Sequence, residues 1–118
     1  MNKLGEYGEK KAKFYLMRRF YRIVATNYQT KFGEIDIIAE TMKYLIFVEV
    51  KQRSSNSIAK PSEAVDFRKQ QKIIKTAKSY LMKHPTDKKL RFDIIEVVSD
   101  NNKLKSINHI KNAFTENV

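Results

Sequence analysis

The chain has 118 residues and 13.9 kDa, enough for one compact domain over residues 1–118 and too few for a second core. Lys plus Arg number 24 against 13 Asp plus Glu, giving a net charge of +11 and a pI near 9.9, which draws the protein to polyanions, nucleic acid first, by counterion release. No run approaches the ~20 apolar residues of a membrane span, and no signal-like apolar core follows the basic N-terminus, so a soluble cytoplasmic protein is expected; with no cysteine and only His84 and His109, any metal is expected to bind through oxygen.

From Asn2 to about Phe20 the pattern is that of a helix, with Gly5, Glu9, Ala12 and Leu16 on one line and Leu4, Gly8 and Tyr15 widening it into a core-facing side. Glu9 thus sits on or beside the inward face. It serves there either as an acid complementing the helix dipole, as Glu6 also could, or as part of a site. Tyr21 to Tyr28 is a first strand, and Asn27 to Phe32 a polar link. Gly33 to Glu40 and Tyr44 to Gln52 are the second and third strands, a hairpin turning across Thr41-Met42-Lys43.

Gln52 to Ser57 reads as an exposed loop. Pro61, Ser62 and Glu63 signal the start of a helix that runs to about Lys83, before Pro85. Phe67, Gln70, Ile74, Ala77 and Leu81 are its expected core seam, with Arg68, Lys72, Lys75 and Ser79 on the other side. Lys60 to Arg91 holds ten basic and three acidic residues, which makes either a solvated face or a phosphate-contacting one. Leu90 to Val98 is a further strand, Leu104 to His109 a weaker one, and the residues from Ile110 a short helix or a frayed end.

The hairpin carries ionised residues where buried strands should have none. Alternation puts Leu45, Phe47, Glu49 and Lys51 on one face of the third strand, and Glu34, Asp36 and Ile38 on one face of the second. A register with Thr41 opposite Tyr44 sets Ile38 against Phe47, Asp36 against Glu49 and Glu34 against Lys51. Carboxylates directly opposed, with Cβ atoms ~5 Å apart, destabilise a sheet unless a cation separates them. Mg²⁺ takes one or two carboxylates at ~2.0–2.1 Å and keeps several waters, so Asp36 and Glu49 would form an open site, with the Val50 carbonyl as a third oxygen and Glu9 supporting a second metal or the water shell. Lys51 could reach a metal-associated water or a phosphate oxygen, the set phosphodiester hydrolysis needs. The alternative is a surface salt-bridge network of Asp36, Glu49 and Lys51; Phe47 and Ile38 on the same face argue for partial burial instead.

An acid followed by Glu-x-Lys on the next strand resembles the PD-(D/E)xK nuclease superfamily. Gly5-x-x-Gly8-Glu9-x-x-Ala12, Gly33-Glu34-Ile35-Asp36-Ile37-Ile38-Ala39, Phe47-Val48-Glu49-Val50-Lys51-x-Arg53, Ala64-Val65 with Lys69, Ala77 with Tyr80-Leu81, and Arg91-Phe92-Asp93 resemble the YraN-like family of predicted endonucleases, over about Gly5 to Val98. The resemblance implies an α/β, restriction-endonuclease-like fold, a mixed central sheet of about five strands flanked by helices, similar to archaeal Holliday-junction resolvases. It further implies Mg²⁺ or Mn²⁺ on Asp36 and Glu49, Lys51 as catalytic lysine, Glu9 as the helix-borne acid, and a homodimer. Ser57-Ile58-Ala59 stands where relatives place a Gly before the Pro. Glu34 and Asp93 fit family positions without an assigned chemistry.

The expected function is a metal-dependent endonuclease acting on DNA, branched or recombination and repair intermediates among its substrates, with Arg53, Lys69 and Lys72 contacting phosphates. The alternatives are a non-catalytic or partner-dependent nucleic-acid-binding module on the same fold, and a purely structural basic protein.

Overall fold

The computed structural model describes the backbone of residues 3–55 and 65–115, and side chains from residue 6 onward within those ranges. The expected helix start at Pro61-Ser62-Glu63, the segment Ser57-Ile58-Ala59, and the Leu4 and Gly5 side chains lie outside the described residues. In chain order the elements are α1 (Lys3–Arg18), β1 (Arg22–Thr30), β2 (Gly33–Glu40), β3 (Tyr44–Ser54), α2 (Phe67–Lys83), β4 (Lys89–Asp100) and β5 (Lys103–Phe114). The strands form one sheet in the order β1-β2-β3-β4-β5. All neighbours are antiparallel except β3 and β4, which run parallel. That parallel step needs a crossover, and α2 lies within it. The fold is therefore the expected α/β arrangement of a mixed five-stranded sheet with helices.

Each helix covers one face of the sheet. On one face Ala12 and Leu16 of α1 pack on Ile37, Ala39, Ile46, Val48, Ile95 and Val97; on the other, Ile73, Ile74 and Ala77 of α2 pack on Ile38, Leu45, Phe47, Phe92 and Ile94. The β-branched runs of β2, β3 and β4 are thus apolar on both faces, as strands covered twice must be. No helix among the described residues is long and apolar enough to cross a membrane.

Local chemistry explains the element ends. Tyr21 N–H reaches Leu16 O and Phe20 N–H reaches Met17 O, closing α1 in a Schellman turn. Such a turn needs a left-handed residue, and Phe20 fills that place at φ 67 while being almost wholly exposed. At the head of α2 the Asp66 side chain accepts from Lys69 N–H at 2.9 Å, the standard N-cap bond.

Three expectations are corrected. Phe67 is 69% exposed rather than core, because α2 turns Ile73, Ile74, Thr76, Ala77 and Tyr80 inward. Strand β3 continues to Ser54 because β4 pairs with it that far, so Gln52 to Ser54 are not loop. The segment from Ile110 is neither helix nor frayed: β5 runs to Phe114, paired with β4 through Ile110 opposite Ile94 and Phe114 opposite Phe92.

Candidate functional site

The second and third strands pair only from Glu40 opposite Leu45 to Ile37 opposite Val48. Beyond that rung β2 stays with β1 as far as Gly33 opposite Thr30, while β3 stays with β4 as far as Ser54 opposite Ser99. The sheet forks there. At the crotch the Asp36 side chain takes over from the backbone ladder, its Oδ2 accepting from Val50 N–H at 2.8 Å. Ile38 opposite Phe47 and Ile37 opposite Val48 are the expected register; Asp36 and Glu49 follow just past the last paired rung, and the expected opposition of Glu34 and Lys51 does not form, because by then β2 and β3 have parted.

The two carboxyl groups meet in a place short of water. Glu49 has a 5% exposed side chain. Burial pushes the Asp36 carboxyl up to about 8, with a hydrogen bond to Glu49 and the charge of Glu49 adding to the rise, and the Val50 N–H pulling the other way. A divalent cation would relieve the repulsion between the two acids that protonation of Asp36 relieves without it. Two oxygen donors on adjacent strands suit a hard divalent ion that keeps waters on its remaining positions. Among the described residues no group of three or more His, Asp or Glu stands together for a metal. Asp36 and Glu49 are the carboxylate donors at the fork, and the Val50 N–H is held by Asp36 Oδ2.

Two ammonium groups face Glu49 Oε2: Lys51 Nζ at 4.0 Å from two places along β3, and Lys69 Nζ at 3.1 Å from the first turn of α2. Burial alone would lower the Lys69 pKa. The attraction of Glu49, with Asp36 and Glu34 behind it, leaves it raised. Glu9 stands on the α1 side, lining a cavity with Glu6, Lys10, Lys13, Thr26 and Asn27. Burial raises its pKa, while a hydrogen bond with Asn27 opposes this. Its charge reaches Asp36, so it borders the pair without completing a three-carboxylate cluster. Gly8, one place before it, lets α1 lie against β3, since a Cβ there would run into the Gln52 side chain.

The residues expected to touch phosphates divide. Lys72 is exposed on α2, in a shallow groove with Phe67, Arg68, Gln71 and Lys75. Arg53 is committed inward: its Nε lies 2.7 Å from Oε2 of Glu96, whose other oxygen accepts from Asn108 Nδ2 at 2.7 Å. Glu96 is wholly buried, so an arginine partner is needed to keep its charge there. Nothing local marked Glu96, whose partners come from β3 and β5. Glu34 accepts from Gln29 Nε2 at 3.3 Å.

Asp93 proves to be part of a separate buried network. It receives Arg91 Nε and Nη2 at 2.9 Å each, His109 Nε2 at 2.7 Å and the Asn112 N–H at 2.9 Å. Burial pushes its pKa up, but the hydrogen bonds from His109, Arg91 and Asn112 prevail and hold it below the usual carboxylate value. Tyr15 and Tyr21 join through His109 Nδ1 at 3.2 Å and Arg91 Nη2 at 3.0 Å. This network ties β5, β4 and α1 together away from the fork.

The sequence profile described as "Uncharacterised protein family UPF0102" matches residues 8–97. A UPF0102 protein of Alkaliphilus oremlandii is 47% identical over 115 residues, covering 95% of this chain and 97% of the relative. Relatives in Persephonella marina and Caldanaerobacter subterraneus are each 47% identical, over 111 and 114 residues, with 93% and 94% of this chain covered and 91% and 93% of theirs. The matched span includes every carboxylate of the fork and the lysines that face it.

Proposed function

The chain belongs to the UPF0102 family, the YraN-like group that its motifs resemble, and from that premise we propose that it is a metal-dependent endonuclease of the PD-(D/E)xK type that hydrolyses phosphodiester bonds in DNA. The observation that carries this reading is the fork itself: Asp36 and Glu49 come together from two strands that part at this point, Asp36 is held by Val50 N–H, and Lys51 and Lys69 are aimed at Glu49. Asp36 and Glu49 hold Mg²⁺ or Mn²⁺, and Glu9 supports the water around them. The ion, when bound, supplies a lowered pKa for water and positive charge opposite the phosphate. Val50 N–H keeps Asp36 turned toward Glu49. Lys51 would orient the attacking water and meet the negative charge carried by the phosphoryl oxygens as the water adds. Lys72, with Arg68 and Lys75 along the exposed side of α2, takes the flanking phosphates, and a second copy of the chain would present a second site to the other strand. A cytoplasmic location goes with this substrate.

The test is a cleavage panel: pure protein with Mg²⁺ or Mn²⁺ against branched, flapped, single-stranded and double-stranded DNA and against RNA. Divalent-dependent cutting, abolished by Asp36→Asn and by Lys51→Ala, is expected. No cutting of any substrate refutes the proposal. The lack of a third carboxylate at the pair, among the described residues, favours a second reading, a nucleic-acid-binding module without turnover; its mark is salt-sensitive DNA binding indifferent to metal and to Asp36→Asn.

A further inference from the structure

Lys69 stands at an unusual point. Its backbone N–H is fastened to Asp66 Oδ1 at 2.9 Å as part of the cap that starts α2, so its side chain leaves the helix from a fixed place. From there the ammonium crosses to Glu49 Oε2, 3.1 Å away, while its own side chain remains 44% exposed. No well-aimed hydrogen bond reaches that oxygen from the described residues. The contact is therefore a charge pairing, on a flexible stem with water beside it, and easily surrendered to a stronger cation. On the helix the neighbour three places on is Lys72, which lies on the exposed groove with Arg68 and Lys75.

Resting on the metal-site reading above, we infer that Lys69 is an exchangeable counter-cation: it holds Glu49 while no divalent ion is bound, yields that oxygen when one arrives, and then turns its ammonium to a phosphate of the nucleic acid. Metal and nucleic acid are thereby coupled through one side chain. Without metal, a phosphate must compete with Glu49 for Lys69; with metal, Lys69 is released to it. Linkage makes the effect reciprocal, so DNA also tightens metal binding. Lys51, farther away at 4.0 Å and two places along the same strand as Glu49, stays with the site in both states.

The experiment uses wild type, Lys69→Met and Lys72→Met. Mn²⁺ is titrated calorimetrically into each protein, and binding of a labelled double-stranded DNA oligomer is measured in chelator and again in Ca²⁺. Lys69→Met should bind Mn²⁺ about two- to fivefold more tightly than wild type, the factor an exposed ion pair is worth. Ca²⁺ should tighten DNA binding of wild type by the same factor, about two- to fivefold, and that gain should disappear in Lys69→Met. Lys72→Met should weaken DNA binding by the same factor with and without Ca²⁺ and leave Mn²⁺ affinity unchanged. Equal or weaker Mn²⁺ binding by Lys69→Met, or an undiminished Ca²⁺ gain, overturns the role of Lys69 alone. Absence of Mn²⁺ binding by wild type overturns the metal site and this inference with it.

Discussion

The proton that burial holds on Asp36 makes the metal-free protein weaken as the pH rises. The Asp36 carboxyl moves from 3.8 to about 8 on folding, chiefly through burial. The folded chain holds that proton where the unfolded chain has lost it, so stability is full below the unfolded value and drains away as the pH climbs toward the folded one. Four units at ~1.4 kcal/mol each set a ceiling of about 6 kcal/mol. Relaxation of the buried site and entry of water reduce that ceiling, and about 3 kcal/mol is the working figure; for a domain of this size it amounts to roughly 10 °C in Tm. Asp36→Asn separates this cause from others, since an amide can accept from Val50 N–H and donate to Glu49 without titrating. Thermal unfolding in chelator from pH 5 to 9 should show wild type losing about 2 kcal/mol, the share of that figure that falls above pH 5, and Asp36→Asn holding nearly level. Mn²⁺ at pH 8 should restore wild type and leave the variant unmoved. Parallel pH curves for the two proteins would refute the reasoning.

Asp93 titrates with the opposite sign: its lowered pKa contributes stability above the ordinary carboxylate range that is lost as the pH falls through the folded value. Asp93→Asn should therefore cost about 3–5 kcal/mol at neutral pH, by leaving Arg91 buried without its partner, and flatten the acid limb of a stability profile. Phe20→Gly, which relieves a left-handed phenylalanine at an exposed helix end, should add about 1 kcal/mol in urea unfolding. Lys51→Ala should lower single-turnover cleavage by about 10²–10³-fold while calorimetry shows Mn²⁺ binding retained, which parts chemistry from metal affinity.

The central hairpin was legible because its information is local. β2 spans Gly33–Glu40 as alternation and the turn residues indicate, and the register follows from a short link between two strands whose apolar faces must both be buried. That register alone brings Asp36 to Glu49. Lys69 against Glu49 required knowing where the crossover returns α2, and the capping acid Asp66 lies five residues beyond the Pro61 signal. The seam of α2 departs from its pattern at Phe67 because the inward stripe is centred on Ile73, Thr76, Ala77 and Tyr80, which leaves Phe67 turned to solvent. β5 was hidden for a different reason: its exposed polar residues and register shifts blur the period of two, and its extent is set by pairing to β4 rather than by its own composition. Glu96 was opaque likewise, since its partners Arg53 and Asn108 come from β3 and β5, and Asp93 was half so, with Arg91 on its own strand but His109 and Asn112 on β5.

Because Asp36 is both the last rung between β2 and β3 and a member of the acid pair, genetics at this position confounds two losses unless the replacement is chosen with care. Asp36→Ala orphans the Val50 amide as well as removing the acid, so a dead Asp36→Ala protein could owe its silence to a parted sheet. Asn keeps the rung and deletes the charge. Of the two alleles, only Asn separates lost chemistry from lost architecture, whether in a test tube or in a complementation assay.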